Sequence, residues 1–474
     1  MLFNSLQFLA FFPLVVLLYW LLSPRWRNPM LLIASYYFYM NWEPIYALLI
    51  FVSSISTWGC SKLMQGTHRR TWLTLCLLFN LGILFTYKYL GFVTVTINDL
   101  FTRLHIGMYV PTFELLLPVG ISFYTFQAIG YIIDVYRGTV KPERSLMIYC
   151  LFVSFFPQLV AGPIERASNL LPQFHTEHKI NGEDLWQGLR LMLWGYFMKL
   201  CVADNVSSYV DAVYNNIGMH SGLSIWVATF FFTFQIFCDF GGYSLIAIGT
   251  ARCLGFRLMQ NFRQPYLSHD VKDFWRRWHI SLSSWLSDYI YKPLGGSRCS
   301  TARHQRNLMI TFLVSGLWHG ANWTFVLWGG YHGMLQVALS LKRKFMPRMS
   351  LRESNHRALR AIGMAGGIMV TFVLSMLGWM LFRANTIEDA HIALRFMLTQ
   401  TGRLYEGDGK PEMLLSLLMI ALLMAREIKN EYRPRLSLTG NSNPAISVIS
   451  TVVLVIIIIT CAQFSGGEFI YFQF

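Results

Sequence analysis

Ser315-Gly-Leu-Trp-His-Gly-Ala-Asn-Trp-Thr-Phe-Val-Leu-Trp-Gly-Gly-Tyr-His-Gly333 is apolar enough to read as a membrane span, yet it holds two histidines, an asparagine, three tryptophans and five glycines. A span that only had to sit in lipid would be written in Leu, Ile and Val. Ionisable groups at membrane depth are costly and usually face a protein interior or a watery path. His319 and His332 are therefore either hydrogen-bonded packing residues or members of a site. The stretch alone fits both readings.

The rest of the chain places this stretch in a membrane. Of 474 residues 54% are hydrophobic and 13% charged, where a soluble domain carries roughly a quarter charged residues. The net charge of +15 would suggest nucleic acid in a soluble protein. Here the basic residues cluster in short loops, so the positive-inside rule and anionic headgroups account for it, and no nucleic acid is expected. The eight cysteines are scattered singly, without a C-x-x-C or a Cys/His pair at ligand spacing. Neither a disulfide framework nor a metal site is expected. Leu6–Leu22 has no basic residue before it and no small-residue cleavage site after it, which reads as a retained first span.

Apolar segments of spanning or near-spanning length fall at 6–22, 29–40, 44–60, 71–91, 113–133, 146–162, 186–206, 223–250, 308–341, 362–382, 413–425 and 446–463. The expected fold is an all-α integral membrane protein, one domain over 1–474, with eleven or twelve spans plus re-entrant or interfacial helices. Segment 308–341 is long enough for two crossings or a broken helix. Lys and Arg place Arg25–Arg27, Lys62–Arg70, Arg252–Lys272, Lys342–Arg352 and Arg426–Arg435 in the cytoplasm. Asn205–Gly222 has no Lys or Arg and Glu388–Glu412 leans acidic, so both read as external, as does the N-terminus. Parity does not close between 133 and 206, so one of the two segments there is expected to be re-entrant.

Three constellations could carry chemistry. In Phe234–Tyr243, Gln235 and Asp239 are four residues apart on one helix face, as a buried hydrogen-bonded pair or a functional one, and Gly241-Gly242 permits close backbone approach. Asp273–Arg298 is too polar to span lipid. It is either a surface amphipathic helix or a segment folded inward, with Arg276, Arg277 and Lys292 placed for a phosphate-bearing ligand. In the opening stretch, the step of thirteen residues from His319 to His332 means about 20 Å of rise and about 220° of rotation on one straight helix. The two imidazoles cannot grip one atom unless the helix breaks, at Gly320 or Gly329-Gly330. Asn322, three residues from His319, could orient the ring or a substrate carbonyl. No Gly-x-Ser-x-Gly elbow, Walker loop or Rossmann fingerprint is present, and no histidine is followed five positions later by Asp. What remains is a membrane-embedded histidine, a side chain suited to general-base work near neutral pH.

Together these blocks resemble the membrane-bound O-acyltransferase family, in its bacterial branch of polysaccharide acetylases. The matching pieces are Met1-Leu-Phe-Asn4, Leu117–Gln127, Phe155–Ile164, Asp273-Phe-Trp-Arg-Arg-Trp-His279, Leu317-Trp-His-Gly-Ala-Asn-Trp323, Leu381-Phe-Arg-Ala384 and Glu468–Phe474. The resemblance implies helices around a tunnel, a multi-pass protein of the bacterial inner membrane, and transfer of acetyl groups from acetyl-CoA with no bound cofactor. It also implies an external polysaccharide acceptor, alginate in first place with peptidoglycan or cellulose as alternatives, and a partner protein that completes the transfer. The family's catalytic histidine falls on His319 and its second histidine on His332. Asn322 would steady the oxyanion, and Trp318, Asp239, Gln235, Arg276, Arg277 and Lys292 would serve substrate or donor. A carrier that moves an acyl group or lipid without chemistry is the expectation from another class.

Overall fold

A computed structural model describes every residue except Glu114, Ala161, 346–356, 434–443, 464–468 and 471–474. Of the basic stretches read from the sequence, the parts from 346 to 352 and from 434 to 435 lie outside the described residues, as does all of Glu468–Phe474 but Phe469 and Ile470. Helices dominate, and among the described residues there is no strand. The chain packs as two compact units, Met1–Met192 with Ile246–Met259, and Leu193–Leu245 with Gln260–Phe474.

The first unit contains α1 (Leu6–Leu21), α2 (Pro24–Met40), α3 (Pro44–Leu63), α4 (Arg69–Leu84) running through a π turn into α5 (Leu90–Arg103), and α6 (Ile121–Arg137). It continues with α7 (Leu146–Ser154), α8 (Phe156–Leu159), α9 (Ala167–Phe174) and the start of α10 (Gly182–Tyr196). Leu6, Leu9, Leu14, Leu17 and Leu21 of α1 point outward while Phe8, Phe12 and Tyr19 point in. That pattern suits hydrocarbon outside and aromatic packing inside. The expected span 146–162 is cut at Phe155-Phe156-Pro157: α7 has nine residues, about 14 Å, too short to cross.

The second unit takes the chain from the π turn Phe197–Ala203 into α11 (Asp204–Tyr214) and α12 (Gly222–Cys253). It then has two short helices, α13 (Val271–Arg277) and α14 (Ile280–Leu286), and the pair α15 (Thr301–His319) and α16 (Trp323–Phe345). It ends with α17 (Arg357–Arg383), α18 (Ile387–Thr399), α19 (Lys410–Tyr432) and α20 (Pro444–Cys461). Among the described residues, four helices are long and apolar enough to cross a membrane: Pro44–Leu63, Arg69–Arg103, Gly222–Cys253 and Leu359–Arg383. In α12 72% of the apolar window is buried, against 17% in Arg69–Arg103, which makes α12 a core helix and the α4–α5 rod largely an outward-facing one. Gly242 bears out the close approach: a Cβ on it would lie 2.7 Å from the Gly195 carbonyl oxygen. Asp273–Arg298 folds inward, burying Phe274, Trp278 and His279, so the surface-helix reading does not hold.

Candidate functional site

The decisive stretch is a break between two antiparallel helices. Ser300 caps the start of α15, its hydroxyl accepting from the Arg303 N–H, and α15 stops at His319. Gly320 and Ala321 make the turn, and the Asn322 Oδ1 accepts the Thr324 N–H at 3.1 Å to begin α16. The helices then run in backbone contact. A Cβ on Gly316 would lie 2.2 Å from the Phe325 oxygen, and one on Gly329 would lie 2.4 Å from the Phe312 oxygen. The glycines that looked out of place in a span are what let the two helices close.

His319, 2% exposed, ends up enclosed by rings: Trp318 at 4.9 Å, Trp328 at 5.0 Å and Phe382 at 5.4 Å between centroids. His279 stands 6.2 Å away and packs on Phe240 at 4.7 Å. Its φ of +42° is unusual for a residue with a Cβ, and such strain clusters at functional positions. Sequence reasoning put its weight on the arginines of Trp-Arg-Arg-Trp-His and missed this histidine. The available signal was a second imidazole in an aromatic block too polar for lipid.

His332 is sealed differently. Its ring meets Trp328 at 5.0 Å, Trp275 at 5.1 Å and Tyr331 at 5.3 Å, and neither ring nitrogen has a hydrogen-bond partner. A Cβ on Gly378 of α17 would sit 2.6 Å from its Nε2. Both histidines therefore touch Trp328, and neither completes a metal site: among the described residues no group of three His, Cys, Asp or Glu could hold an ion.

A cavity of about 430 Å³ runs among α13, α14, α15 and α16. Its inner lining includes Trp275, Phe312 and Ser315, the last one turn before His319, with a buried hydroxyl that has no hydrogen-bond partner. Its outer lining includes Lys272, Arg276 and Arg343, all exposed. Of the three cations singled out from the sequence, only Arg276 lines it. Arg277 is engaged by Asp273 at 3.2 Å and Glu431 at 2.9 Å, and Lys292 by Asp288 at 2.6 Å. Arg343 escaped the sequence reading because the hairpin, not proximity in sequence, brings it to the rim. Arg343 pairs with Asp270 at 2.8 Å, and Asp270 also caps α13 by accepting the N–H groups of Lys272 and Asp273. Burial alone would raise the Asp270 carboxyl, but the Asp273 and Lys272 N–H groups, with Arg343 and His269, hold it below the ordinary carboxylate range.

The remaining candidates serve the frame. Asn322 also donates from Nδ2 to the Asn385 carbonyl at 3.0 Å, so both ends of its amide work in the turn. The carboxylate of Asp239 is taken by Lys199 at 2.7 Å and by the Ile470 N–H at 2.7 Å, in place of the Gln235 pairing read from the spacing. Asp204 adds a second carboxylate to Lys199 at 2.8 Å. Phe469 packs on Tyr243 at 4.5 Å, which docks the C-terminal segment on α12.

Fold and site together define a multi-pass membrane protein with a buried histidine cluster beside a cation-rimmed cavity. The model of the membrane-bound O-acyltransferase family matches residues 143–382, and the chain belongs to that family. It is therefore an acyltransferase. It is 39% identical over 398 residues to a probable alginate O-acetylase of Azotobacter vinelandii, covering 82% of this chain and 76% of that protein. A peptidoglycan O-acetyltransferase of Helicobacter pylori is 33% identical, covering 85% of this chain and 80% of its own. A teichoic acid D-alanyltransferase of Bacillus subtilis is 25% identical, covering 59% and 72%.

Proposed function

We propose that the protein is an O-acetyltransferase of the bacterial inner membrane, moving acetyl groups from a cytoplasmic thioester donor toward an exported polysaccharide, with alginate as the first candidate. The observation that carries the donor side is the cavity itself. From His304 to Ser315, both in its lining, α15 rises about 16 Å. A phosphopantetheine arm has thirteen bonds from sulfur to phosphorus and at about 1.2 Å advance per bond also spans about 16 Å. A sulfur beside Ser315 would thus put the phosphate among Lys272, Arg276 and Arg343, where cations suit it. Acetyl-CoA carries such an arm.

His319 is assigned as general base. It takes the proton of the acceptor hydroxyl as that oxygen attacks the thioester carbonyl carbon, the new C–O bond forms, the C–S bond breaks, and the proton passes to the departing thiolate. The aromatic enclosure keeps out water, the competing acceptor. His332 holds a supporting place through Trp328; Arg277 and Lys292 are given no donor role because they do not line the cavity, and Asn322 none because both ends of its amide work in the turn. The acceptor side is external, and a partner protein completing the transfer fits this reading. A non-crossing α7–α9 makes the Lys/Arg pattern alternate, in keeping with the expected eleven or twelve crossings and an external N-terminus.

The peptidoglycan acetyltransferase relative favours one second reading, with peptidoglycan as acceptor. Both are tested by deleting the gene and measuring ester-linked acetate on each exported polymer, with complementation by the unaltered and the His319→Ala chain. Loss of acetate from alginate, restored only by the unaltered chain, is the expected result. Loss from peptidoglycan alone moves the acceptor, and loss from neither overturns the proposal.

A further inference from the structure

The donor cavity explains the handle of the donor and leaves open what sets the size of the acyl group. That is decided around His319. Among the described residues, the rings of Trp318, Trp328 and Phe382 stand within 5.4 Å of its imidazole, and Phe382 comes from outside the hairpin. It comes from the end of α17 and is 1% exposed. Its ring is braced by Phe325 at 4.8 Å, Trp328 at 5.3 Å and Trp379 at 5.6 Å, so it cannot swing aside without displacing other aromatics. Phe325 in turn lies where a Cβ on Gly320 would strike it at 2.0 Å, which pins the brace to the turn after His319. A packed core does not yield to an extra methylene without strain. We infer that Phe382 is the acyl-length gate of this enzyme: its ring fills the space beside His319 that a chain longer than acetyl would need.

The inference rests on His319 as the reacting centre. The two tryptophans are poorer gates, since Trp328 also holds His332 and Trp318 precedes His319 in the same helix. Truncating Phe382 opens space beside His319 without touching the glycine contacts that join α15 to α16.

The test is thiol release by the purified full-length protein from acetyl-, propionyl- and butyryl-CoA with alginate oligosaccharide supplied as acceptor, each compared with the His319→Ala background. The unaltered chain should lose about tenfold or more in kcat/KM per added methylene. In Phe382→Ala the acetyl-to-butyryl ratio should collapse by about tenfold or more, and Phe382→Leu should move the same way by less. Met397→Ala, a truncation of a buried side chain in α18 of the same unit, should leave the ratio alone and controls for generic loosening. An unaltered chain that uses butyryl-CoA as fast as acetyl-CoA overturns the gate without any variant. So does a ratio unmoved by both Phe382 substitutions, or moved equally by Met397→Ala. If the unaltered chain releases no thiol above the His319→Ala background, the proposed donor chemistry itself fails, which is a different outcome from an unmoved ratio.

Discussion

His319 and His332 belong to one 19-residue stretch and touch the same indole, yet they occupy unlike places. His319 closes a helix, one turn from the inner lining of a cavity, with a second histidine 6.2 Å away. His332 sits inside α16, its ring walled by Trp275, Tyr331 and the bare backbone of Gly378. The contrast teaches that an imidazole in a membrane span acquires its role from what ends beside it. A helix terminus leaves room for a ligand; a helix interior packed on a glycine does not.

The largest effect should come from breaking the His319 side. His319→Ala is expected to reduce transfer by about 100- to 10,000-fold, the range of a lost general base, with donor KM little changed. A drop in binding without a drop in kcat would reverse the two histidines' roles. Gly378→Ala comes next and attacks His332 alone, since the new methyl group would meet its Nε2 at 2.6 Å. Overpacking of this kind costs about 1–3 kcal/mol. Thermal unfolding in detergent should show that loss, with a fall in kcat smaller than for His319→Ala. At the rim, Arg343→Ala should raise donor KM several-fold, while Lys292→Ala, whose ammonium is held by Asp288, should leave it unchanged. Equal effects of the two would mean that cation count, not the cavity lining, sets donor affinity.

How much of this was legible beforehand follows the range of the interactions. The helical membrane class and the places where a break could fall before His332 come from composition and from spacing within one helix, while His319 as the candidate base comes from the family resemblance. The hairpin was open as one of two readings of 308–341, and the glycines decide it only when both helices are seen together. Arg343 at the rim and Phe382 against His319 could not be read from spacing, because each arrives from another helix, 24 and 63 residues after His319. Asn322, Gln235 and Asp239 were recognised as polar residues that need partners. The partners they take, Asn385 for the first and Lys199 and Ile470 for the last, come from distant segments.

The smallest effect sharpens the comparison by reaching one histidine through its wall. Helix α13 brings Phe274 and Trp275 against His332, and the start of α13 depends on Asp270. Asp270→Asn keeps a side chain able to cap and removes the charge that holds Arg343, so the loss should stay below the roughly 1 kcal/mol of a deleted cap. The sign of its pH dependence is fixed. Burial opposes the ionised form, but the capping N–H groups and the Arg343 charge more than offset it, so the folded carboxyl titrates below its ordinary 3.8. A depressed carboxylate contributes stability above that ordinary value and loses it as pH falls through the lower folded one. The midpoint difference between the unaltered chain and Asp270→Asn should therefore be fullest near neutrality and shrink below about pH 4. A difference that persisted unchanged into acid would mean the side chain acts by capping alone, and that the wall around His332 owes nothing to the Arg343 pair.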